Sequence, residues 1–245
     1  MISIKNLVKK YGSKTVVDHM NLEVAEGEFF GFLGPNGAGK TTTIKILTGL
    51  LLPTDGDVTV NGISVKGDYR EAKKLLSYIP DQPYLYEKLT GREFLEFVGR
   101  LYGISADICG KRIQELLEQF DADDYADELS ENYSHGMKQK IVFASALLHD
   151  PKIIILDEPM VGLDPKSARL VKDILRERVE NGVTVFMSTH TLSVAEEVAH
   201  RVGIIRKGEL IFVGSKEELQ GSRVKTGWLE SVFLELTEEE IEEQD

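Results

Sequence analysis

A single cysteine, Cys109, among 245 residues means that the chain can close no disulfide of its own and offers no thiolate cluster for a metal, which fits a reducing compartment. Long apolar runs are missing as well. The longest, residues 141–148, falls far short of the ~20 needed to span a bilayer, and the opening MISIKNLVKKYG lacks the apolar core of a signal peptide. Positive charge is the minority sign, 29 Lys and Arg against 41 Asp and Glu, giving a formal net charge of −12, so a nucleic acid is not the expected partner. Six of the acids (Glu238, Glu239, Glu240, Glu242, Glu243 and Asp245) lie in the last eight residues and read as a solvated tail. What remains is 42% hydrophobic and 29% charged, enough to bury one large core or one core with an inserted subdomain in a soluble protein. There is no internal repeat and no low-complexity linker.

Residues 2–8, 16–17, 20–24 and 58–65 are short alternating segments punctuated by Gly12, Gly27, Gly56 and Gly62, the pattern of an antiparallel β layer. Residues 28–33, EFFGFL, are almost continuously apolar and run into a glycine-rich turn. KTTTIKILTGLL follows with helical spacing at Ile44, Leu47 and Leu51, so a buried strand feeds a helix. Between about 90 and 149 the pattern is helical only. Thr90 and Glu93 can form a capping box, Phe94, Phe97, Val98 and Leu101 make one stripe, and Ile113, Leu116, Leu117 and Phe120 another. After Pro151 strand and helix alternate: a strand over 153–157, a helix near 167–180, a strand over 183–188, a helix near 191–199 and a hairpin across Lys207-Gly208. The fold class is therefore α/β, with a mostly parallel sheet, an N-terminal antiparallel β layer and an inserted α-helical subdomain.

The strongest chemical signal is Gly34-Pro35-Asn36-Gly37-Ala38-Gly39-Lys40-Thr41, which fits G-x-x-x-x-G-K-[ST] in a strand–loop–helix setting. Glycines let backbone N–H groups turn inward around phosphates, the helix N-terminus adds partial positive charge, Lys40 reaches the β- and γ-phosphates and Thr41 ligates Mg²⁺. With Thr42 in the same turn, residues 34–42 make a nucleotide site on a P-loop NTPase core. An ordinary glycine turn would not need this spacing. The second signal is IIILDEP, in which a buried strand delivers Asp157 and Glu158 at its C-terminal end, the edge where ligands bind in such sheets. Asp157 can hold Mg²⁺ and Glu158 can polarise an attacking water, which suits phosphoanhydride hydrolysis. Two acids after a strand are usually a solvated turn; the P-loop upstream reverses that reading. His190, in FMSTH at the end of the next apolar strand, is placed to contact a γ-phosphate, although a lone histidine is more often structural.

In this order along the chain the motifs resemble the ATP-binding subunits of ABC transporters, from residue 2 to about 221, with the helical insertion at about 90–149 and a C-terminal helix and acidic tail over 222–245. The resemblance gives meaning to YSHGM, residues 133–137, which stand at that family's signature loop, the part that enters the catalytic site of a partner subunit. Ser134 and the Gly136 N–H sit where a helix N-terminus favours an anion, with Lys138 and Lys140 adding positive potential. The resemblance also implies that Tyr11 stacks on adenine, that Val16 lies against ribose and base, that Gln82 senses Mg²⁺ and faces the membrane partner, and that Gly162-Leu163-Asp164 crosses the dimer interface. Val161 stands where a serine is often found. His135 and Met137 replace a glycine and a glutamine of the common signature, so the hydrolysis rate or its pH dependence is expected to differ.

The motif wording is most similar to the exporter-type branch, and the short C-terminus leaves no room for the regulatory domain of many sugar-importer subunits. What the resemblance implies is an ATPase that uses ATP and Mg²⁺, dimerises with itself or a paired ATPase subunit around two ATP molecules, and drives integral membrane subunits from the cytoplasm, at the inner face of the cell membrane. The apolar PYLYEKL after Gln82 suits docking on those subunits. A soluble ATPase of the same family, or a nucleotide-dependent scaffold acting on ribosomes or DNA, is the alternative; such relatives usually carry two ATPase halves, a long coiled coil or a basic surface, none of which is present.

Overall fold

The computed structural model describes residues 1–215 and Glu218; the expected C-terminal helix and acidic tail lie outside the described residues. Strands β1 (Ile2–Tyr11) and β2 (Lys14–Val24) pair antiparallel, and β3 (Phe29–Leu33) leads through the glycine-rich loop into α1 (Lys40–Leu47). Next come β4 (Asp55–Val60), the two-residue β5 (Ile63–Ser64), α2 (Arg70–Leu75) and β6 (Leu76–Ile79). Helices α3 (Gly91–Leu101), α4 (Ala106–Gln119) and α5 (His135–Leu147) follow, with two 3-10 turns before α5. Strand–helix alternation then resumes with β7 (Ile153–Asp157), α6 (Pro165–Glu180), β8 (Thr184–Thr189), α7 (Leu192–Val198), β9 (Arg201–Arg206) and β10 (Glu209–Ser215). No helix among the described residues is long and apolar enough to cross a membrane.

Two sheets result. The first is antiparallel, in the order β2-β1-β4-β5; the second runs β10-β9-β3-β8-β7-β6, parallel except for β10 at its edge. In the second sheet the apolar runs EFFGFL and IIIL are continuous because both faces are covered. Phe29 and Leu33 of β3, and Ile154 and Leu156 of β7, point into the core shared with the helical insertion. Phe30, Phe32, Ile153 and Ile155 point into the core shared with α1 and the antiparallel layer. Phe186 of β8 stacks on Phe30 at 5.5 Å and leans on Phe32 at 5.3 Å. Each of these fully buried rings contributes roughly 1.5–3 kcal/mol by its removal from water.

Several expectations need correction. The segment 58–65 is not one strand, because Asn61 and Gly62, both at positive φ (50° and 74°), make a two-residue turn that splits it into the β4–β5 hairpin. Segments 16–17 and 20–24 join into the single β2, which is irregular where His19 takes φ 42°. Neither α2 nor β6 was expected. In α3 the capping box of Thr90 and Glu93 is formed, but the buried face is Gly91, Phe94, Leu95 and Gly99. Leu101 is 69% exposed and Phe97 37% exposed, because Gly99 lets α4 approach so closely that Cys109 Sγ occupies the space of a Cβ there. That close approach, rather than the widest apolar stripe, sets the rotation of α3.

Candidate functional site

Three parallel strands end at one level. Leu33 of β3 is in register with Thr189 of β8, and Ser188 of β8 with Asp157 of β7. The segments that follow them, the loop 34–39, Glu158 and His190, therefore meet at the C-terminal edge of the sheet, next to the strand order's reversal around β3. The β9–β10 turn supports this edge, since Gly208 N donates to Ala38 O (3.0 Å) and Gly208 O accepts from Asp18 N (2.9 Å).

The loop is shaped by its backbone. Gly39 has φ 115°, and a Cβ there would lie 2.8 Å from Val16 O, so only glycine fits between the loop and β2. It is also the N-cap of α1 and supplies no side-chain cap, which leaves the first N–H groups of the helix facing the loop as an anion-binding end. Lys40 is only 6% exposed; its Nζ donates to Gly34 O (2.6 Å) and Pro35 O (3.2 Å) and lies 3.6 Å from Glu158 Oε1. Lys40, Thr41, Thr42, Asn36, Gly37 and Gly39 line a pocket of about 260 Å³ together with Val16, Asp81, Asp157 and Glu158.

On the opposite wall Asp157 is wholly buried. Its Oδ1 accepts from Ser188 Oγ at 2.5 Å, while its Oδ2 has no partner among the described residues. Tyr78 on the neighbouring β6 is pushed up to about 12 by burial and then by the charge of Asp157. Glu158 takes φ 49°; its N donates to Ser188 O (3.1 Å), its Oε2 accepts from His190 N (3.3 Å), and His190 Nδ1 lies 2.9 Å from that same oxygen. With Nδ1 donating to Glu158, Nε2 can donate to a phosphate only when the ring carries both protons. Among the described residues, no group of three or more His, Cys, Asp and Glu could hold a metal ion unaided. An ion here would need phosphate and water as further ligands, which is how Mg²⁺ is ordinarily bound. The unpartnered Asp157 Oδ2 supplies the carboxylate oxygen such an ion requires.

A second cleft of about 560 Å³ adjoins the first and is lined by Asn36, Asp81, Gln82, His135, Glu158 and His190 among others. The two clefts sort the expected residues. Lys40, Thr41, Asp157, Glu158 and Val16 come together in the inner pocket, and His190 reaches it through Glu158. Gln82 lines the outer cleft only; its neighbour Asp81 lines both. Gly34, Pro35 and Ala38 shape the loop from behind, where Pro35 O also accepts from Ala38 N at 3.2 Å. Tyr11, at the end of β1, is half exposed beneath Lys9 Nζ and is not among the residues lining either cleft. Ser134 is the N-cap of α5, its Oγ accepting from Met137 N at 3.3 Å, and neither it nor Gly136 lines the pocket of its own subunit.

Ser188, Asp81 and Gln139 were not expected at this edge from the sequence. Ser188 carried a signal, a polar residue closing an apolar strand beside the carboxylates. Gln139, 1% exposed on α5, donates through Nε2 to Pro159 O at 3.4 Å, a contact with no sequence signature.

A family model described as ABC transporter matches residues 17–161. The linearmycin resistance ATP-binding protein of Bacillus subtilis (strain 168) is 38% identical over 219 residues, 89% of this chain and 70% of that protein. The SkfA peptide export ATP-binding protein of the same organism is 40% identical over 211 residues, 86% of this chain and 87% of that protein. Among solved structures, an ATP-binding subunit of an ABC transporter superposes with a TM-score of 0.90 at 31% identity, covering 96% of this chain and 99% of the other. A dimeric post-hydrolysis state of the ATP-binding cassette MJ0796, bound to ADP and Pi, superposes with a TM-score of 0.80 at 28% identity, covering 88% and 98%.

Proposed function

This chain belongs to the ABC transporter family as an ATP-binding, ATP-hydrolysing subunit, and from that premise we propose that it pairs around two ATP molecules and drives export through separate integral membrane subunits. The observation that carries the reading is the convergence of Lys40, Asp157, Glu158 and, through Glu158, His190 at one sheet edge. In this reading residues 1–221 are one ATP-binding domain, and the helices inserted at about 90–149 face the membrane partner.

ATP binds with its phosphates on the α1 N-terminus and residues 34–42, and Lys40 exchanges its carbonyl partners, Gly34 O and Pro35 O, for phosphate oxygens. Thr41 and Asp157 Oδ2 would hold Mg²⁺, with Gln82 or Asp81 beside them. When bound, the ion stabilises charge on the phosphate oxygens. Glu158 takes the proton of the attacking water, oriented by the His190 contact on Oε2. Ser134 and the Gly136 N–H of the other subunit meet the γ-phosphate, and Tyr11 and Val16 cover the base.

The similarity to resistance and peptide-export ATP-binding proteins supports export. Exposed aromatics support a membrane partner: Tyr84 is 71% exposed and Tyr86 46%, edge to face at 5.8 Å, with Phe97 on the other side of Tyr86 at 5.6 Å. An aromatic cluster of this kind, rimmed by Glu87 and Lys88, suits an apolar helix end delivered by another protein. The subunit then works peripherally at the inner face of the membrane. Affinity recovery from native membranes tests this. An integral membrane protein should co-purify, and Tyr84→Ser with Tyr86→Ser should release it while ATP binding is kept. Recovery of ribosomal or DNA-associated proteins instead would favour the soluble alternative.

A further inference from the structure

Glu158 carries the proposed base on a left-handed backbone, φ 49°, and the following Pro159 also disfavours the right-handed helical alternative. Such a conformation persists only where the surroundings hold it. One end of the loop is tied to the sheet by Glu158 N on Ser188 O, and the other is fixed by Asp164, whose Oδ1 caps α6 by accepting from Lys166 N (2.9 Å) and Ser167 N (3.0 Å). Between them two turns, Val161 N to Glu158 O (3.2 Å) and Leu163 N to Met160 O (3.3 Å), leave the carbonyls of Pro159 and Val161 to be satisfied from outside.

Both are met by α5. Gln139 Nε2 donates to Pro159 O, and one turn earlier His135 Nε2 lies 3.2 Å from Val161 O. A carbonyl oxygen only accepts, so Nε2 of each side chain is the donor, which fixes the His135 tautomer and the Gln139 amide. The His135 ring also fills the space over Gly162, where a Cβ would lie 2.5 Å from its Cδ2, and Gly162 has φ 78°. Residues 135 and 139 share a helix face, so a single face grips the loop at two carbonyls and one glycine. The same helix starts at its N-cap Ser134 and carries Gly136 in its first turn.

We propose that His135 and Gln139 are positioning residues that tie the Glu158 loop to the N-terminus of α5, so that seating the partner's phosphate on Ser134 and Gly136 aligns the base of the same subunit. This rests on the pairing proposed above. It gives His135, a departure from the family's common signature, a role inside its own chain.

The test is steady-state ATP hydrolysis of the full chain, with nucleotide affinity and ATP-driven dimerisation measured separately for each variant in a Glu158→Gln background. His135→Phe keeps a ring over Gly162 but cannot donate, and should lower kcat about tenfold with KM and dimerisation unchanged; His135→Gln, which can donate, should recover most of it. Gly162→Ala should also lower kcat in the parent and add less in His135→Ala, where the ring it collides with is gone. Wild-type kcat in His135→Phe, or losses that multiply independently in the double variant, would overturn the proposal. So would losses that fall on KM and dimerisation together with kcat, since they would assign His135 to the partner's phosphate. If Glu158→Gln never dimerises with ATP, the pairing is what fails, and the His135→Phe and His135→Gln turnover numbers still decide the grip on the loop.

Discussion

Replacing Asp157 by Asn separates what the buried carboxylate costs from what it does. The side chain is wholly inaccessible; one oxygen accepts from Ser188 Oγ, the other has no partner among the described residues, and the cation of the pocket, Lys40, lies against Glu158. A hydrogen bond to a charged group returns about 1.5–3 kcal/mol. Burying a carboxylate costs several kcal/mol even after relaxation, so Asp157 is a net burden on the folded state. Asparagine keeps the shape and the acceptor for Ser188 while removing the charge. Without ATP and Mg²⁺, Asp157→Asn should be more stable than the wild type by about 1–2 kcal/mol in urea unfolding at unchanged m-value. With Mg²⁺–ATP at about a hundredfold excess over Kd, the wild type gains about 2.7 kcal/mol by linkage. With Asp157 Oδ2 proposed to hold the ion, the variant should gain much less, so the order of the two proteins should reverse. A variant that is less stable in the absence of ligand, or one that Mg²⁺–ATP stabilises as much as the wild type, refutes the reasoning.

Lys40→Ala removes a 6%-exposed ammonium whose charge-assisted contacts each carry about 1.5–3 kcal/mol, so ATP affinity measured by calorimetry should fall roughly 10- to 100-fold; unchanged affinity would place the phosphates elsewhere. His149, stacked on Tyr102 at 3.7 Å with Nε2 on Leu76 O, has its pKa lowered by burial. The unfolded chain therefore binds the proton more readily, and stability present above the ordinary value of about 6.5 is lost as pH falls through it towards the depressed folded value. Urea midpoints between pH 7.5 and 5.5 should drop less in His149→Asn than in the wild type, and equal drops would contradict that.

How far the sequence reached depended on whether the information was local. The strand β3, the loop 34–39 and α1 are contiguous, and glycine spacing plus an apolar run describe them, so their placement was legible. So was the β7 strand with its carboxylates, because burial on both faces leaves IIIL without a polar break. The unexpected β6 is four residues long and begins directly after α2; it is a strand because it pairs with β7, far along the chain. Which of two adjacent polar residues faces the pocket was equally hidden. Asp81 and Gln82 follow the same strand, and the turn of the loop brings Asp81 to both clefts and Gln82 to the outer one only. The Asn61-Gly62 turn, in contrast, was present in the sequence as a hairpin signal that the alternating valines on either side obscured.

Whether Ser134 and Gly136 complete the site of another subunit is decided by light scattering of Glu158→Gln with Mg²⁺–ATP. The substitution keeps shape and hydrogen bonding but removes the proposed base, so ATP should remain intact and bridge residues 34–42 of one subunit to the α5 N-terminus of the other. Monomer should shift to dimer with ATP and not with ADP. Ser134→Arg in the same background should abolish the shift while each monomer still binds nucleotide, because neither Ser134 nor Gly136 lines the pocket of its own subunit. A Ser134→Arg protein that dimerises as well as its parent, or wild-type turnover in Glu158→Gln, would contradict the shared site.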